Sequence, residues 1–198
     1  MVDRRSGVVA AALVLAGVMR VVAQDHAVNV FAYGGAYSAL KDVNSIGTAQ
    51  FRRGFTLGGG VGYEIDRTLE LRATLTGAQS HLLLDGAPTG VYLNRYYVAA
   101  DLKAAYPLAN GIRPYGLLGA GAVVLHEKGS TGADRTQGFA HLGAGIAYSV
   151  GKSALSVFAQ ADGVSYSLAE LTSPTFEHFS AIQFDLSASA GVSYRLPL

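Results

Sequence analysis

Three places in the chain hold the residue types that hydrolytic chemistry needs. His126 and Glu127 precede Ser130, His81 lies between Ser80 and Asp85, and Glu177 precedes His178. A serine hydrolase requires a nucleophilic hydroxyl, a histidine base and an acid to orient that base. None of these spacings is a signature of such an enzyme, and loops collect polar residues in any protein. No catalytic residue is therefore assigned. His81, His126 and His178 could converge on a metal ion if the chain brought them together, but nothing in their spacing requires it. His141 alternates with apolar neighbours on a polar strand face and reads as a member of a polar network rather than a ligand. The chain contains no Cys, so thiolate metal sites and disulfides are excluded. No glycine run opens a helix, so phosphate-cradling motifs are not indicated. No metal or cofactor is expected.

What positions these residues is a set of strands, clearest at the end of the chain. From Ile182 to Leu196 every second residue is apolar: Ile182, Phe184, Leu186, Ala188, Ala190, Val192, Tyr194 and Leu196. The residues between are polar or glycine. A period of two is the mark of a strand with one apolar and one wet face. Ordinary strands are about five or six residues long, whereas a tilted membrane-crossing strand needs roughly 9–11.

The same pattern recurs upstream. Strands are predicted over 27–39, 51–64, from Leu69 through Thr76, 90–106, 112–126, 136–150 and 154–166, eight in all with the last. The first has an ambiguous facing, because Gly34-Gly35 could hold a bulge that shifts the alternation. The fifth is too apolar on both sides to assign. Connections alternate: long at 40–50, 79–89, 127–135 and 167–180, short at Asp66-Arg67, 107–111 and 151–153. That asymmetry fits a transmembrane barrel with short periplasmic turns and longer outer loops.

The polar faces carry Arg52, Arg72, Arg95, Lys103 and Arg195 against Glu64, Glu70, Asp101, Asp162 and Asp185. Equal numbers suit a closed, paired interior, since an unpaired buried charge costs several kcal/mol. Tyr63, Tyr106, Tyr148 and Tyr194 recur at spacings of 43, 42 and 46 residues. One hairpin pair has that period, so all four are expected on the outward face at one membrane depth, where a ring with a polar tip favours the headgroup boundary. The fold expected is therefore all-β: an eight-stranded antiparallel up-and-down transmembrane β-barrel. Its interior would be filled by side chains, without an open pore. A soluble periplasmic ligand-binding barrel, apolar inside and charged outside, is the inverse arrangement.

Composition agrees. After the N-terminus no run of 18 apolar residues exists, so a helical span of the mature chain is excluded. The formal net charge of +1 carries no nucleic-acid footprint. Arg4-Arg5, the 13-residue apolar run Gly7 to Met19 and the small residues before Gln24 read as a signal peptide over 1–23. The barrel domain is then 24–198, exported to the outer membrane of a Gram-negative cell.

Short motifs carry a family resemblance. Pro114-Tyr115 precedes Gly119-Ala120-Gly121; Gly143-Ala144-Gly145 precedes Tyr148; and Gly191-Val192-Ser193-Tyr194-Arg195-Leu196 closes the chain. With the eight-strand layout, they make the mature chain resemble the small eight-stranded outer-membrane proteins, such as the transmembrane domain of outer-membrane protein A. The resemblance implies a porin-like barrel that meets lipid and lipopolysaccharide, is inserted by the barrel-assembly machinery and is a monomer. The chain departs from that family by ending Leu196-Pro197-Leu198 rather than on an aromatic residue. It is also expected to lack the periplasmic peptidoglycan-binding domain of some relatives. The function expected is a non-enzymatic structural or surface-interaction role through the outer loops. Some barrels of this size modify lipid A, so a deacylase-like hydrolase is the alternative.

Overall fold

Residues 26–40, 49–51, 53–84, 87–128, 134–151, 153–167 and 182–198 are described in the computed structural model of the chain. Among them run nine strand segments: β1 (Ala27–Ala39), β2 (Ala49–Phe51), β3 (Gly54–Glu64), β4 (Leu69–Leu84), β5 (Ala87–Ala105), β6 (Ile112–Lys128), β7 (Arg135–Ser149), β8 (Leu155–Ser167) and β9 (Ile182–Pro197). The segments β2 and β3 both pair with β4 and form one crossing. The register slips by one residue between Phe51 and Phe55, which face Leu82 and Gln79. With β2 and β3 counted as one crossing, each strand pairs antiparallel with its sequence neighbour, and β1 pairs with β9, so the sheet closes into an eight-stranded up-and-down barrel. Closure leaves no edge, which a backbone in hydrocarbon requires because lipid offers no hydrogen bonds.

The first strand shows no register shift. Its pairing with β9 runs unbroken from Ala27 opposite Pro197 to Ala39 opposite Asp185. Gly34-Gly35 therefore holds no bulge. A Cβ at Gly35 would strike the Ala188 carbonyl oxygen on β9, so glycine serves close strand approach there. The expected loop 79–89 is a correction. β4 continues to Leu84 and β5 begins at Ala87, with Gln79 facing Asn94 and His81 facing Tyr92. Polar residues there resemble a loop in sequence, but ladder hydrogen bonds do not depend on side-chain polarity. Much of the other three long connections lies outside the described residues, at 41–48, 129–133 and 168–181.

At the opposite end the turns are short. The Asp66 carboxylate accepts hydrogen bonds from the Thr68 amide and hydroxyl (2.6 and 2.7 Å) and the Leu69 amide (2.8 Å). Those bonds, the Thr68 hydroxyl first, stabilise the charged form and hold the Asp66 pKa below the usual carboxylate range. This support for the turn is present above the ordinary Asp value and is lost as pH falls through the lowered one. In the next turn Asn110 and Gly111 take positive φ (66° and 77°), and Gly151 does so in the third (61°).

Facing follows the strand alternation. Leu57, Leu75, Leu118 and Leu142 are 60–67% exposed on the outside. Glu70, Arg72, Arg95, Asp101, Asp162 and Asp185 are buried inside. The inverse, soluble arrangement is thereby contradicted. β6 resolves in the same way, with Tyr115, Leu117, Val123 and Leu125 inward.

Candidate functional site

The barrel lumen holds the buried polar side chains, and it is layered. At the turn end Glu64 accepts from Arg195 Nε at 2.8 Å and from Asn29 Nδ2 at 3.0 Å. The next layer joins Glu70 to Arg72 (2.9 Å) and Lys103 (3.0 Å). The Arg72 guanidinium lies 4.6 Å from the Phe31 ring centroid, and Lys103 Nζ lies 4.8 Å from that of Tyr115. Aromatic faces attract cations held over them. Phe31, Tyr115, Leu117 and Phe158 pack together at this level.

The middle layer centres on His141. Its Nδ1 lies 2.6 Å from Asp101 Oδ1 and its Nε2 lies 3.2 Å from Asp162 Oδ1. Thr74 donates to Asp101 (3.2 Å), and Gln160 donates to Asp162 (2.9 Å) while accepting from Tyr115 (3.0 Å). A cavity of about 50 Å³ adjoins this layer, bordered by Asp101, His141, Asp162, Arg72 and Asp185 among others. That is room for a few water molecules at roughly 10–15 Å³ each.

Toward the loop end, Arg95 is fully buried. It approaches Asp185 at 3.6 Å and donates to Ser80 (2.6 Å) and Tyr166 (3.1 Å). Asp185 also accepts from Tyr97 and Tyr166, both at 2.8 Å, and from Gln183 at 3.1 Å. A second apolar cluster, including Tyr37, Leu93, Val123, Leu125 and Phe139, surrounds this layer.

Of the charged residues singled out in the sequence, Arg52 lies outside the described residues. The other nine fall into these layers, with the rim residue Arg195 partly exposed. Composition alone does not reveal the aromatic share of the filling. The signal is present in strand parity, since Tyr97, Phe139 and Gln160 occupy the same alternate positions as Asp101, His141 and Asp162.

The hydrolase candidates do not assemble among the described residues. Ser80 is fully buried and bonded to Arg95, while its neighbour His81 faces outward against Tyr92, with ring centroids 4.3 Å apart. Adjacent strand residues point to opposite faces, so this serine and histidine cannot form a dyad. His126 is exposed with Nδ1 2.6 Å from Asp134. The Glu127 side chain and Asp85, Ser130, Glu177 and His178 lie outside the described residues. No trio of described His, Asp or Glu residues is arranged to hold a metal ion.

The four tyrosines lie at the turn end. Tyr106, Tyr148 and Tyr194 are 48–69% exposed on the outer surface. Tyr63 is less so, because His26 stacks on it at 5.3 Å.

A family model described as "Outer membrane protein beta-barrel domain" matches residues 8–197. Among solved structures, Neisserial surface protein A is 17% identical with a TM-score of 0.57, over 85% of this chain and 96% of that one. A major outer membrane protein from Thermus thermophilus is 15% identical with a TM-score of 0.56, over 87% of this chain and 100% of that one. The N-terminal β-barrel domain of Pseudomonas aeruginosa OprF is 19% identical with a TM-score of 0.53, over 86% and 97%. At these identities the likeness is one of fold. No curated protein matches the chain.

Proposed function

The chain belongs to the outer membrane protein β-barrel domain family, and from that premise we propose a non-enzymatic scaffold with a sealed lumen, whose loop end meets partners outside the cell. It is an outer-membrane protein, set in lipid and lipopolysaccharide. The observation that carries the proposal is the lumen filling: among the described residues, four layers of interlocked charges and two apolar, aromatic-rich clusters surround a cavity of about 50 Å³. An eight-stranded barrel is just wide enough for side chains to fill it. Passage would require breaking buried ion pairs, each carrying a large desolvation term. The ion layers act as a polar plug in this reading, and the four tyrosines mark the periplasmic headgroup boundary. Residues 1–23 are a signal peptide removed on export. The barrel is then inserted by the assembly machinery as a monomer.

Reconstituted in planar bilayers at neutral pH, the protein should show no steady conductance. A persistent ohmic current would contradict the sealed lumen. A second reading, hydrolysis of lipid A, is favoured by one observation, the contact of exposed His126 with Asp134. Lipid A mass spectra from cells with and without the protein should be identical. A mass shift abolished by His126→Ala would replace the scaffold reading with the enzymatic one.

A further inference from the structure

The middle layer places one imidazole between two carboxylates. Asp101 and Asp162 sit 2.6 and 3.2 Å from the two nitrogens of one imidazole. Neutral imidazole has a single N–H, so it can donate to only one of them. The other contact would then set a nitrogen lone pair against a carboxylate lone pair. The geometry is satisfied when the ring carries both protons, donating one to each carboxylate.

Charge balance leads to the same arrangement. Both carboxylates are buried, and among the described residues their ion-pair partner is His141 alone. The layer below, Glu70 with Arg72 and Lys103, carries one positive charge in excess. An imidazolium leaves the middle layer one negative charge in excess, and the two layers cancel. A neutral imidazole leaves it with two. The other ionisable groups nearby are Arg72, Asp185, Tyr33, Tyr37 and Tyr97, which border the same cavity, and Tyr115, Glu70 and Lys103 in the adjoining layer. None of them is placed between the two carboxylates.

We propose that Asp101, His141 and Asp162 form a proton-operated lock on the lumen, closed while the imidazole bridges both carboxylates and opened to small monovalent cations when that proton is lost. The exchange balances: one proton leaves the ring for solution and one cation such as K⁺ takes its place beside the two carboxylates. The cavity of about 50 Å³ next to the clamp is large enough for it. Selectivity follows from sign, because the vacated site is anionic and repels chloride. The inference rests on the sealed-lumen reading and adds a condition under which the seal fails.

Planar-bilayer recordings in a KCl gradient, from about pH 5 to about pH 10, bracket the ordinary imidazole value near 6.5. Wild type should be silent at the acidic end and show discrete cation-selective openings at the alkaline end. His141→Lys keeps a permanent charge and should abolish the alkaline openings. His141→Gln removes the charge and should show openings at every pH. Steady current in wild type at acidic pH would contradict the sealed lumen itself. Silence of both wild type and His141→Gln throughout would overturn only the lock, as would openings that are anion-selective or persist in His141→Lys. Folding of each variant is read by its heat-modifiable mobility on a detergent gel. Should a variant not fold, ¹⁵N-histidine NMR of the wild type decides: both His141 ring nitrogens must be protonated at neutral pH, and a single N–H there overturns the lock.

Discussion

Replacing Asp185 with alanine should cost about 3–5 kcal/mol of unfolding free energy in lipid vesicles, the range for removing one partner of a buried ion pair. Arg95 has no exposed surface, and Asp185 is 2% exposed. Asp185→Ala would leave the guanidinium in the lumen without its carboxylate. It would also remove the acceptor for the Tyr97 and Tyr166 hydroxyls. Their desolvation adds to the loss, because a buried donor left unmade costs about 1–3 kcal/mol. The double substitution Arg95→Leu with Asp185→Leu removes both charges and should recover a large part of that stability. Urea titrations of the single and double variants check this. A single variant within about 1 kcal/mol of wild type, well below the ~3 kcal/mol expected, would mean that water reaches Arg95 and the loop-end layer is not sealed.

The second large effect lies on the opposite face. Leu142 is at the centre of β7 and is 67% exposed. Its Cα partners are Leu118 on β6 and Gly163 on β8, in a row of outward residues. An arginine there would be presented to hydrocarbon at mid-depth and should cost roughly 2–4 kcal/mol. The same substitution at Thr136, near the loop end of that strand and also outward, should cost roughly 0–1 kcal/mol, as expected near a membrane interface. Equal penalties would mean that the apolar surface is not in lipid. The contrast separates burial in a bilayer from loss of packing.

Much of this arrangement is legible in the sequence because lipid imposes a strict rule. Outward residues must be apolar for the whole crossing, so the β9 alternation survives in the structure from Ile182 to Tyr194 and is lost only at the rim. The lumen imposes a looser one. Leu117, Val123 and Leu125 face inward alongside Arg95 and Asp101, because a filled interior needs volume as well as charge balance. That is why β6 is apolar on both faces and its sequence does not orient it. The hairpin of β4 and β5 reads as a loop for a related reason. Beyond the apolar band nothing forces the outer face to be greasy, so Gln79 and His81 face outward on a strand that simply continues. Pairing of Asp101 with His141 and Asp162 is not contained in parity. It depends on how the strands are staggered around the barrel, and the three residues are 40 and 21 positions apart.

The chain has no tryptophan, which allows a direct test of facing. Leu142→Trp and Phe139→Trp would each introduce a single fluorophore on the same strand, one outward and one inward. In vesicles of lipid brominated near the bilayer centre, the tryptophan at position 142 should be strongly quenched and the one at position 139 should not. Equal quenching at the two positions, or stronger quenching at 139, would contradict a barrel that turns its apolar side chains to lipid and folds its charges inward.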